Sequence, residues 1–180
     1  MTSVRIWGPG VGAVVVLVAT GAWARGSTGE VDAGLWDAVR PAIEARLTAQ
    51  AADEEGYGEA ALGARWFCAA DPLDLRQDDG RVRAGVDTLC MEYGVRDGSL
   101  QECSGSHYPQ VMRLERDPHG GYRVVSQEEP PDGADYASWQ EDHFSVLAEY
   151  RLDGSADPSG LESAARAHFG LPADAPVGDC

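Results

Sequence analysis

Three glycine-bearing turn signals constrain this chain more than any other feature. Asp79-Gly80, Asp97-Gly98 and Pro118-His119-Gly120-Gly121 divide the stretch from Arg65 to Val125 into four apolar runs. Asp-Gly suits the positive backbone angles of a two-residue hairpin turn, because glycine has no Cβ to clash there. Four runs joined by three turns predict an antiparallel meander. The first run opens at Trp66-Phe67-Cys68, and Pro72 limits how far it can pair. The second is Val82–Tyr93. The third starts at Leu100–Cys103, breaks or bulges at Ser104-Gly105-Ser106 and resumes at Tyr108–Leu114. The fourth is Tyr122–Val125.

Helical patterns flank this block. Asp32 opens a stripe of Leu35, Trp36, Val39, Ile43 and Leu47 at near-helical spacing. Pro41 interrupts it, so either the helix kinks there or it starts near Asp37 with Pro41 in its first turn. Gln50–Glu59 is acidic and punctuated by glycine, which predicts a loop. Downstream, Asp135–His143 and Ser145–Leu152 predict short helices. A last helix begins at Asp157-Pro158, with Ser159 and Glu162 as a capping pair and Gly170 as its stop. The fold class is therefore α+β: an N-terminal helix packed on a curved antiparallel meander of about four strands, followed by short C-terminal helices.

The N-terminus carries an address. Ile6–Ala24 is uncharged, with Arg5 before it and Arg25 after it, and Ala22-Trp23-Ala24 forms a small-x-small cleavage pattern. Residues 1–24 are thus a secretory signal, or else an uncleaved membrane anchor, since 19 uncharged residues reach the span of a bilayer core. Residues 25–33 are a spacer and 34–180 a single extracytoplasmic domain. No cysteine follows the apolar core before Cys68, which disfavours a lipoprotein. The membrane enters only through the N-terminal segment, if that is retained.

Every carboxylate lies at or after Glu30, so the net charge of −16 belongs to the exported part. Such a surface repels phosphates, which excludes nucleic acid and anionic lipid surfaces as partners. All 14 cationic side chains are arginine, and with no lysine the Schiff-base and Ser–Lys mechanisms are excluded.

Cys68, Cys90, Cys103 and Cys180 are an even set in an exported chain, and even sets of this kind form disulfides. The Asp97-Gly98 turn places Glu92 opposite Cys103, making Cys90 a diagonal neighbour of Cys103. The Asp79-Gly80 turn places Ala69 opposite Cys90, leaving Cys68 on the other face. The diagonal separation of about 7–8 Å is at or beyond disulfide reach, so this pairing needs the Ser104–Ser106 bulge. Register thus prefers Cys90–Cys103 with Cys68–Cys180; the rival is Cys68–Cys90 with Cys103–Cys180. Without any C-x-x-C pair, zinc and thioredoxin-like chemistry are disfavoured.

No catalytic, cofactor-binding or metal-binding set emerges. The sequence lacks G-x-S-x-G, a phosphate-cradling loop, H-E-x-x-H and a dinucleotide fingerprint. None of His107, His119, His143 and His168 is spaced as a metal-binding pair. The carboxylate clusters Asp53-Glu54-Glu55, Asp78-Asp79, Glu128-Glu129 and Glu141-Asp142 do not match the calcium-loop ladder. Glu128, Glu129 and Asp132 form the one suggestive corner, because Pro130 and Pro131 stiffen it into a candidate interaction surface.

Gly121-Tyr122-Arg123-Val124-Val125, then Pro131-Asp132-Gly133, Tyr136 and Phe144, resembles a pattern in small secreted or membrane-anchored proteins of Gram-positive bacteria. The resemblance covers roughly Trp66–Phe144. It implies a helix wrapped by a curved sheet, in the manner of the cystatin-like or nuclear transport factor 2-like folds, and implies no activity. The expected function is a non-catalytic extracytoplasmic domain that binds a protein or small ligand at the cell envelope. The alternatives are a small enzyme using an Asp/His pair in a pocket, and a purely structural accessory domain.

Overall fold

The computed structural model describes residues 31–53, 62–152 and 156–180. The N-terminal address, most of the spacer and residues 54–59 of the expected acidic loop lie outside the described residues. Among the described residues no helix is long and apolar enough to cross a membrane.

Helix α1 spans Ala33–Asp53. Asp32 caps it: its carboxylate accepts the Leu35 N–H at 2.8 Å and its carbonyl accepts the Trp36 N–H at 2.9 Å. Pro41 lies inside the helix, neither ending it nor delaying its start. A proline in a helix interior costs about 3 kcal/mol. Val39, Ile43 and Leu47 are buried on the same stripe, each worth about 1.5–3 kcal/mol, which outweighs that cost. Ala51 continues the stripe, so the helix extends into the stretch where a loop is expected.

The meander is β1 (Arg65–Asp78), β2 (Arg81–Arg96), β3 (Ser99–Arg116) and β4 (Tyr122–Glu128), in the order β1-β2-β3-β4 with antiparallel neighbours. Both hairpin turns fall where Asp-Gly predicts them, with φ of 46° and 79° at Asp79 and Gly80, and 51° and 78° at Asp97 and Gly98. Each strand except β2 contains one extra residue: Leu73 in β1, Cys103 in β3 and Val125 in β4. The bulge at Leu73 lets β1 run past Pro72. A fifth strand, β5 (Val177–Asp179), pairs parallel with β3 at Leu100–Glu102 and has no sequence signal of its own.

Each face of the sheet is covered by different helices. Val82, Ala84, Val86, Cys90, Met112, Leu114 and Tyr122 face α1. The opposite face is shared by three short helices, α2 (Tyr136–His143), α3 (Val146–Leu152) and α4 (Ser159–Phe169). Phe144 and Ala148 pack on Leu73 and Val111, while Leu161 and Ala165 pack on Tyr93 and Leu100. Arg83 ties strands to helix: it donates to Asp74 Oδ1 and to the His143 carbonyl, both at 2.7 Å. Gly170 stops α4 in the left-handed region, as expected. The Ser159–Glu162 capping pair does not form. Asp157 accepts both the N–H and the hydroxyl of Ser159 instead, and Glu162 pairs with Arg166 at 3.0 Å.

The disulfides correct the preferred pairing. Cys68 is bonded to Cys90, and Cys103 to Cys180. The extra residue at Leu73 shifts β1 by one, so Cys68 rather than Ala69 stands opposite Cys90. Cys103 is itself the bulge residue of β3, while Ser106 takes the place opposite Cys90. Released from Cys90, Cys103 bonds to Cys180 at the end of β5.

Two outcomes follow. Proteolysis without reduction should release a Cys68 peptide linked to the Cys90 peptide, and replacing both by alanine should cost about 3 kcal/mol in urea unfolding. Gly85→Ala should cost about 1–3 kcal/mol, because its Cβ would come within 2.7 Å of Phe144 and 3.0 Å of Asp74 Oδ1.

Candidate functional site

A cleft of about 220 Å³ opens between the second half of α1 and the middle of the sheet. Helix α1 contributes Leu47, Gln50 and Ala51; β1 and β2 contribute Trp66 and Cys90; β3 contributes Ser104–Ser106, Tyr108 and Gln110. Strand alternation explains the set, since Ser104, Ser106, Tyr108 and Gln110 share one face of β3.

One side of the cleft is a row of linked amides. Gln110 is 1% exposed. Its Nε2 donates to Thr88 Oγ1 at 3.1 Å, and the Thr88 hydroxyl donates to the Tyr108 carbonyl at 2.7 Å. Its Oε1 accepts Gln127 Nε2 at 2.5 Å. Gln127 reaches on to Gln50, and Gln50 donates to Glu129. Arg46 Nε donates to Gln127 Oε1 at 3.1 Å. A glutamine both donates and accepts, so such a row can be satisfied internally and still offer groups to a neutral ligand.

The suspected corner is split between the two faces. Glu129 points toward α1 and joins the amide row. Glu128 points to the other face, where its Oε1 lies 2.8 Å from His143 Nε2 and accepts Trp139 Nε1 at 3.4 Å. His143 stacks on Trp139, and its Nδ1 lies 2.6 Å from the Trp139 carbonyl. Asp132 precedes the 3-10 turn Gly133–Asp135 without a side-chain cap bond. Two of the three corner residues are thus engaged within the chain.

The histidines lie away from the cleft. His107 Nε2 sits between the carboxylate oxygens of Asp87, 2.9 Å from Oδ1 and 3.0 Å from Oδ2, on the sheet face opposite α1. Burial, then the Asp87 charge, pushes the Tyr136 phenol above its ordinary value. His168 packs edge-on against Phe67 and Phe169, and the His119 N–H donates to Asp117 in a turn. Two His–carboxylate pairs therefore exist, His107–Asp87 and His143–Glu128, both outside the α1 cleft. Among the described residues no group of three His, Cys, Asp or Glu side chains could hold a metal ion.

Sequence reasoning missed Gln50, Thr88, Gln110 and Gln127. A signal existed for one of them: Gln110 stands in phase with Met112 and Leu114, a polar residue on an apolar face. Comparison with protein-family models, curated proteins and solved structures finds no match.

Gln110→Leu should cost about 1–3 kcal/mol, since it removes two bonds at once, the one it donates to the Thr88 hydroxyl and the one it accepts from Gln127. A double-mutant cycle with Gln127→Leu should show coupling of at least about 0.5 kcal/mol in urea unfolding.

Proposed function

We propose that this chain is a non-catalytic extracytoplasmic binding domain, secreted or held at the membrane by residues 6–24, whose ligand seats in the α1 cleft. The observation that carries this reading is the amide row, anchored on the buried Gln110, that opens beside Trp66 and Tyr108. Aromatic walls supply contact area, and neutral donors and acceptors supply orientation, the usual division of labour in a small-ligand site. The two disulfides support an oxidising compartment. The helix followed by a four-strand meander supports the likeness to cystatin-like or nuclear transport factor 2-like secreted proteins. Both His–carboxylate pairs face away from the cleft, which favours binding over acid–base chemistry there. The net charge of −16 favours neutral or cationic ligands.

A thermal-shift screen of neutral amide- and hydroxyl-bearing compounds tests this. A ligand at a hundred times its Kd should raise Tm by about 5–10 °C. Ser106→Trp, which fills the cleft, should abolish the shift while leaving the unliganded Tm within a few degrees. Shifts that survive Ser106→Trp would locate the ligand elsewhere and reject the cleft.

A further inference from the structure

Strand β3 is paired along one side by β2 throughout, but its other side is interrupted. There β5 pairs only as far as Glu102, and β4 only from Val111 onward. Between Cys103 and Gln110 no described strand covers that edge. Neighbouring bonds determine which main-chain groups point out of it. The Leu100 N–H donates to the Pro176 carbonyl and the Cys180 N–H donates to the Glu102 carbonyl, so even-numbered residues face β5. The extra residue at Cys103 inverts the phase. Gly105 and His107 therefore aim their N–H and C=O groups outward, and Ser106 and Tyr108 aim theirs at β2. Pro109 fits the same phase, since its nitrogen has no proton to lose at an edge. Gly105 and His107 are both exposed, and among the described residues no turn, loop or cap bond involves their main-chain groups.

This short edge separates two hollows. The α1 cleft lies on one face. On the other is an open groove of about 370 Å³ bordered by Leu89, Met91 and His107, and both hollows include Ser104–Ser106. Met91 lies over Gly105 at the groove's border, where a Cβ would come within 2.6 Å of its Sδ. An extended peptide laid along the edge would send alternate side chains into the cleft and into the groove. Acid stands at both ends of the gap: Glu102 and Asp179 at the β5 end, Glu128 and Glu129 at the β4 end.

We infer that the open edge of β3 accepts an extended segment of a partner protein as an added strand, in the β-augmentation mode. The segment is about six residues long at roughly 3.3 Å each. It carries an aliphatic or aromatic side chain toward the cleft and arginine or lysine at its ends. The inference rests on the cleft as the binding site and adds the class of ligand and the main-chain bonds that hold it.

The probe is a displayed library of random linear peptides panned on the full chain, with recovered peptides titrated into ¹⁵N-labelled protein. Free protein should exchange the Gly105 and His107 amides fast, and those of Ser106 and Tyr108 slowly. Bound peptide should slow the Gly105 and His107 amides at least tenfold. Methylating backbone nitrogens of the peptide at one parity should weaken binding about tenfold, and at the other parity hardly at all. His107→Pro should lose peptide binding while keeping the Cys68–Cys90 link. Peptides that perturb Trp66 and Gln110 without slowing Gly105 and His107 would overturn edge addition and leave the cleft standing. Peptides that settle on the exposed Val146, Leu147 and Tyr150 of α3 would overturn edge addition. So would recovery of none, or protection of the edge by self-pairing of two copies.

Discussion

Burial of one helical stripe on one sheet face is the interaction on which the rest depends. Val39, Ile43, Leu47 and Ala51 recur every four residues along α1 and meet the inner side chains of the meander. That contact outweighs the proline inside the helix. It also sets the cleft, because the amide row and the aromatic walls begin where the apolar packing ends. Without α1 seated there, Gln110 and Thr88 would be polar groups on an open face, with no reason to pair.

Three inserted residues decide what the sheet can do. Leu73 brings Cys68 opposite Cys90; Cys103 withdraws from Cys90 and reaches Cys180; Val125 resets the end of β4 before the chain turns away at Pro130. A single extra residue changes both pairing and phase, since side chains and main-chain groups alternate with a period of two. The same bulge at Cys103 that moves a disulfide also turns Gly105 and His107 outward.

Histidine–carboxylate pairs are confined to one face of the sheet. The cleft on the α1 face is lined by amides and hydroxyls joined by Arg46 and Glu129, and the buried Glu92 stands on the same face in phase with Cys90. The opposite face carries the His107–Asp87 and His143–Glu128 pairs, where solvent and short helices share the work of satisfying them. The buried Tyr93 phenol is held well above its ordinary value by burial first and then by Glu102 and Glu162, so it stays a neutral core residue.

The sequence by itself determined the α+β class, the helix stripe, both Asp-Gly hairpins, the short C-terminal helices and the presence of four cysteines suited to bonding. These are local signals: periodicity, turn chemistry and composition act over a few residues. The cysteine pairing, β5, the amide row and the gap between β5 and β4 along β3 among the described residues were decided only by tertiary structure. Bulge positions depend on how two strands pack against a common neighbour, and no local pattern marks Leu73 rather than Pro72 or Asp74. Gln50, Gln110 and Gln127 come together only because α1, β3 and β4 converge, across separations of up to 77 residues. Elements were legible because each is built by its own residues; the site was not, because it is built by residues that meet only when the chain has folded.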